Sequence, residues 1–120
     1  MPQKIVAIIE DDPRMRNATA NFLSASGYGT ETFDSAEAFL NAAATSEATC
    51  LVVDVQLGDI SGVELAHQLA AEGLKYPIIF MTALNDGRVQ RLAEAAGAIA
   101  FLHKPFSDNS LIEAIVKAIG

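Results

Sequence analysis

The stretch Ile5-Val6-Ala7-Ile8-Ile9-Glu10-Asp11-Asp12-Pro13 decides the fold, because it joins two kinds of pattern within nine residues. Its first five residues are apolar without a break, as in a strand buried on both faces. Its last four are three carboxylates and a proline. Asp12-Pro13 reads as a helix N-cap followed by proline at the first helical position. The helix that follows is expected to turn Met15, Ala18, Phe22 and Leu23 inward and to stop near Gly27. A buried strand thus runs straight into a helix, with acids at the junction.

The same unit recurs along the chain. Gly29 to Phe33 alternates polar and apolar, as an exposed edge strand does, and a helix follows from about Ser35 with Ala36, Phe39, Leu40 and Ala43 inward. Cys50 to Val53 is a buried run ending on Asp54; the loop Val55 to Ser61 leads to a helix with Val63, Ala66, Leu69 and Ala70 on one face. After Pro77, the run Ile78-Ile79-Phe80-Met81 ends on Thr82, and Asn85 and Asp86 are expected to cap a helix bearing Val89, Leu92, Ala93 and Ala96. Gly97 introduces a fifth run, Ile99 to Leu102, ending at His103-Lys104-Pro105. The last helix starts near Ser107, with Leu111, Ile112, Ile115, Val116 and Ile119 at helical spacing. Five βα units in succession predict an α/β fold: a doubly wound, five-stranded parallel sheet with helices on both faces.

Size and charge bound what such a domain does. The 120 residues make a single domain, 1–120, and a hydrophobic fraction of 51% against 19% charged predicts a globular core. Eight basic against fifteen acidic residues give a net charge of −7. That balance opposes direct binding to nucleic acid or to anionic membranes, both of which call for a basic surface. The lone Cys50 forms no internal disulfide, which suits a reducing cytoplasm. No signal peptide is expected, and no apolar run reaches the roughly 20 residues of a membrane span.

In open parallel sheets, ligands bind outside the carboxyl ends of the strands. Four of the five runs deliver polar groups there: Glu10-Asp11-Asp12, Asp54, Thr82 and Lys104. Each has an ordinary explanation alone. Asp12 is a cap, Asp54 a loop aspartate, Thr82 a β-branched strand residue and Lys104 a solvated charge. Gathered together they need a cation, since clustered carboxylates repel and raise one another's pKa values. A hard divalent ion such as Mg²⁺ takes carboxylates, a carbonyl and waters. The Thr82 hydroxyl and the Lys104 ammonium match the oxygens of a phosphoryl group. The arrangement therefore points to phosphoryl transfer onto Asp54 as a carboxylate nucleophile.

The set Glu10-Asp11, Asp54, Thr82 and Lys104-Pro105 resembles the receiver domain of two-component response regulators. Asp54 lies 43 positions beyond Asp11 and Lys104 lies 50 beyond Asp54; Gly97 through Phe106 is similar to the family's closing signature. The resemblance covers Lys4 through Ile119 and implies strand order 2-1-3-4-5. It implies that Asp54 accepts a phosphoryl group from a histidine of a sensor kinase or phosphotransfer protein. Asp11 would bind Mg²⁺ directly, Glu10 through a coordinated water, and Gln56 by its backbone carbonyl. Thr82 and Lys104 would contact the phosphoryl oxygens, the Lys104–Pro105 bond would be cis, and Phe101 would turn with Thr82 as a switch residue. The switch would act on the fourth helix, fifth strand and fifth helix. From there it would address an output domain, transcriptional by lean of the resemblance, or a downstream protein, with homodimerisation on phosphorylation. The acidic pair is either Glu10-Asp11 or Asp11-Asp12; the 43-residue spacing and Pro13 favour the first.

This chain departs from the family at Leu57-Gly58, where many members carry Met-Pro, and at Phe101, where tyrosine is frequent. Gly62 is expected to open the third helix, and small Ala83 to leave the phosphoryl pocket open. His67 is read as a surface residue and His103 as a neighbour of Lys104. Two other functions on such a sheet are disfavoured. An aspartyl phosphatase usually has a second aspartate two residues beyond the nucleophile as general acid, and here that residue is Gln56. A nucleotide or flavin binder would need a glycine-rich loop after the first strand, where this chain has three acids.

Overall fold

The structure is a computed structural model that describes residues 4–58, 60–84 and 87–119. Five strands alternate with five helices: β1 (Ile5–Ile9), α1 (Pro13–Ala25), β2 (Gly29–Phe33), α2 (Ala36–Ala42), β3 (Cys50–Asp54), α3 (Gly62–Ala71), β4 (Ile78–Thr82), α4 (Gly87–Ala95), β5 (Ala100–His103) and α5 (Asp108–Ile119). All neighbouring strands pair in parallel, in the order β2-β1-β3-β4-β5. β5 starts one residue later than the apolar run that announced it. The expected caps Asn85 and Asp86 lie outside the described residues.

Alternate strand residues face opposite layers, which is why the central strands are apolar throughout. Ala7, Ile9, Leu51, Val53 and Phe80 pack with Ala36 and Phe39 of α2, Leu65 and Leu69 of α3 and Ala93 of α4. Val6, Ile8, Val52, Ile79 and Met81 pack on the other side with Leu23 of α1 and Leu111, Ala114 and Ile115 of α5. The edge strands β2 and β5 are mostly half-buried, with Phe33 set edge-on against Phe39 at 5.2 Å.

Four residues read as inward-facing are exposed: Ala18, Ala70, Leu92 and Val116. A helix lying on a sheet buries a stripe little more than 100° wide, and each of these falls at its margin. In α1 the stripe runs through Thr19 rather than Ala18; in α3 it runs Gly62, Leu65, Ala66 and Leu69, leaving Ala70 outside. Leu92 is 58% exposed and Val116 50% exposed. Among the described residues no helix is long and apolar enough to cross a membrane.

Candidate functional site

The order β2-β1-β3 means that the chain leaves β1 in one direction and enters the rest of the sheet in the other. A crevice opens where that reversal occurs, between the carboxyl ends of β1 and β3. The last β1–β3 pair is Ile9 with Val53, so Glu10 and Asp54 emerge side by side from adjacent strands. One carboxylate oxygen from each of Glu10, Asp11 and Asp54 lies within 4.8 Å of the other two. Glu10 is fully buried, Asp54 is 6% exposed and Asp11 is exposed.

Lys104 closes the cluster from across the sheet. Its Nζ donates to Glu10 Oε1 at 2.6 Å and to Asp54 Oδ2 at 2.7 Å. Its backbone N–H donates to the Thr82 carbonyl at 2.8 Å, which extends β5 by one bond and holds the lysine over β3. The Lys104–Pro105 peptide is cis. Asp54 Oδ1 accepts the Gln56 N–H at 2.8 Å, so each acceptor oxygen already has one partner and a lone pair in reserve. Thr82 is fully buried, and its Oγ1 accepts the Leu84 N–H at 3.0 Å, leaving its own O–H proton to donate elsewhere.

Burial pushes the Glu10 carboxyl up from an ordinary 4.5 to about 7, reinforced by Asp54 and opposed by Lys104. Burial by itself would lower the Lys104 ammonium, but its hydrogen bonds to Asp54 and Glu10 prevail and hold it above its usual value. Glu10 Oε2 is buried with no hydrogen-bond partner. One ammonium against three carboxylates leaves two negative charges when all are ionised. An all-oxygen donor set with an orphaned buried carboxylate oxygen fits a hard divalent cation.

The three acids of the run take different places. The Asp12 side chain accepts the Arg14 N–H at 2.9 Å as the cap of α1, while Glu10 and Asp11 face the site. Gly62 does open α3, behind the cap Ser61. A Cβ there would come within 2.6 Å of the Asp54 carbonyl oxygen, so the turn after Asp54 closes only on glycine. Gly58 is exposed and a Cβ on it would lie 3.9 Å from Asp11 Oδ2, in ordinary contact, so the loop passes close over the carboxylates without crowding them. Ala83 is exposed beside the opening. Phe101 is half-buried against the α2–α4 layer and meets the exposed His103 edge-on at 5.2 Å; His67 is exposed.

Two contacts escaped the sequence reading. Lys104 pairs directly with Glu10, which was read only as a metal partner through water. Arg16 reaches back from the first turn of α1, and its Nη1 donates to the Glu10 carbonyl at 2.9 Å. Only its position one turn past an acidic strand end could have signalled this.

Residues 6–116 match the family model of the response regulator receiver domain. Transcriptional regulatory protein FixJ of Bradyrhizobium diazoefficiens is 36% identical over 114 residues, 95% of this chain and 56% of that protein. Transcriptional regulatory protein TdiR of Thauera aromatica is 32% identical over 95% of this chain and 50% of its own length. The chain therefore spans about half the length of the curated relatives it matches. Among solved structures, the crystal structure of FixJ-N superposes with a TM-score of 0.92 at 36% identity, covering 98% of this chain and 94% of that one. The BeF3-activated DrrB receiver domain gives 0.86 at 25% identity, covering 98% of each chain.

Proposed function

The chain belongs to the response regulator receiver domain family, a two-component signalling switch, and on that premise we propose that Asp54 is its phosphoacceptor. The observation that carries the proposal is Lys104 Nζ bridging Glu10 Oε1 and Asp54 Oδ2 at the switch point of the sheet. In the transfer, an Asp54 oxygen attacks phosphorus; the O–P bond forms as the N–P bond of a phosphohistidine breaks, and its electron pair stays with the imidazole nitrogen. Lys104 already touches the Asp54 carboxylate and turns one of its three N–H donors to the incoming phosphoryl oxygens, keeping its proton. The Thr82 hydroxyl, which spends only an acceptor lone pair on Leu84, donates to another.

Asp11, Glu10 through water, Asp54 and the Gln56 carbonyl would hold Mg²⁺. When bound, that ion neutralises charge on the phosphoryl oxygens. The chain is a regulatory receiver rather than an enzyme acting on a separate substrate, and it promotes its own phosphorylation and dephosphorylation. Residues 1–120 form one receiver domain. Phosphorylation draws Thr82 and Phe101 inward and changes the face formed by α4, β5 and α5, in a cytoplasmic protein. That face addresses a transcriptional output domain or a second copy, and the phosphodonor is a sensor histidine kinase or phosphotransfer protein. FixJ and TdiR, both transcriptional regulatory proteins, support the transcriptional reading.

Incubation with Mg²⁺ and radiolabelled acetyl phosphate tests this directly. The wild-type chain should acquire a hydroxylamine-labile label, lost in Asp54→Asn and on chelation. Equal labelling of Asp54→Asn removes the acceptor assignment; labelling indifferent to chelation removes the metal role.

A further inference from the structure

Arg16 makes a contact that none of these roles uses. Its Nη1 donates at 2.9 Å to the carbonyl oxygen of Glu10, half of the peptide unit that joins Glu10 to Asp11. A peptide unit is planar, so a donor fixed on its oxygen fixes the plane and the bonds leaving both Cα atoms. On the other side, the Glu10 N–H donates to the Phe33 carbonyl of β2 at 3.0 Å. Glu10 lies beyond the last β1–β3 pair, Ile9 with Val53, so β3 no longer restrains its carbonyl side. The segment is tied again at Asp12, whose carbonyl accepts the Arg16 N–H at 2.9 Å. Between those ties stands Asp11, exposed and directed by its backbone rather than by packing.

The guanidinium acts on the site in two opposing ways. As a positive charge it repels a cation. As a charged donor to a strand-end carbonyl it holds two carboxylates in a common direction, and such bonds are stronger than neutral ones. We propose that Arg16 is a positioning residue of the metal site: its bond to the Glu10 carbonyl orients the Glu10–Asp11 peptide so that both carboxylates converge on one divalent cation. This rests on the reading that Glu10, Asp11 and Asp54 hold that cation, and it assigns the orienting group that the reading lacks. Groups that orient metal ligands typically carry about 10–100-fold in affinity.

The test is a Mg²⁺ titration of the ¹⁵N-labelled chain, followed through the amide shifts of Asp11 and Gln56, with no phosphodonor present. Arg16→Ala and the length-matched Arg16→Met should each weaken Mg²⁺ roughly tenfold. Arg16→Lys, which keeps a charged donor of similar reach, should recover most of the loss. Metal-free spectra of all three should retain the dispersion of the wild type, which separates orientation of the site from unfolding. Undiminished or tighter Mg²⁺ binding in Arg16→Met overturns the proposal and shows that charge repulsion dominates. Loss in Arg16→Lys equal to that in Arg16→Met also overturns it. If the wild type does not bind Mg²⁺, or Asp11→Asn binds it equally well, the metal reading itself falls and the role of Arg16 with it.

Discussion

The two ends of the sheet are built from the same strands and solve opposite problems. At the amino-terminal end, α1, α3 and α4 finish in one device, with Gly27, Gly73 and Gly97 at φ of +97°, +75° and +90°. In each, the glycine N–H and the next N–H bond back to the last turn, as with Gly73 to Ala70 at 3.0 Å and Leu74 to Leu69 at 2.9 Å. The last carbonyls of these three helices are met mainly by backbone N–H groups. At the carboxyl end, Glu10, Asp54 and Thr82 are buried, one carboxylate oxygen is orphaned, and Lys104 bridges the two buried carboxylates. One end spends its geometry on closing the chain; the other gathers charged groups at the candidate site.

Substitutions at each end should therefore separate activity from stability. The largest effect is expected at Lys104. Lys104→Met should lower the initial rate of labelling by acetyl phosphate about 100-fold, the scale for losing one donor to developing charge. A rate within threefold of wild type would show that the bridging ammonium is a structural tie only. Next comes Gly62, where the two demands meet. Gly62→Ala places a Cβ against the Asp54 carbonyl oxygen and should cost about 2–3 kcal/mol in urea unfolding. Little loss would mean that the turn relaxes freely.

At the opposite end, Gly73→Ala should cost about 1 kcal/mol, since alanine is strained in that left-handed conformation. Labelling of this variant should match wild type; a changed rate would break the division between the ends. The last test concerns pH. The Glu10 carboxyl titrates near 7 when folded and near 4.5 otherwise. Its folded value is raised, so its contribution to stability is complete below about 4.5 and is lost as pH rises through about 7. In metal-free buffer the Tm of the wild type should decline over that window more steeply than that of Glu10→Gln. Parallel curves would show that Glu10 is not the group responsible.

The comparison also explains which features were legible in the sequence. Continuous apolar runs such as Cys50–Val53 announce strands buried on both faces, and helix starts are written locally in Asp12-Pro13 and Ser35. Inward faces were less legible at their margins. Leu92 and Val116 are hydrophobic and at helical spacing, yet they lie exposed, because spacing says nothing about how much of a helix the sheet covers. Gly73 was overlooked although it ends α3 by the same geometry as Gly27, since no apolar run stops conspicuously at it.

By itself the sequence determined the five βα units, the strand ends at which polar side chains appear and the identity of the acceptor candidate. The first two are short-range properties of periodicity, capping and composition; the acceptor candidate followed from the strand ends taken together and from the family resemblance. Only the tertiary structure decided that Lys104 grips Glu10 as well as Asp54, that Glu10 is buried with one oxygen unpaired, and that Arg16 braces the peptide between the acids. Those depend on which strands become neighbours and on how much water remains between them. Lys104 and Glu10 are 94 residues apart in the chain, and only the parallel sheet brings them to 2.6 Å.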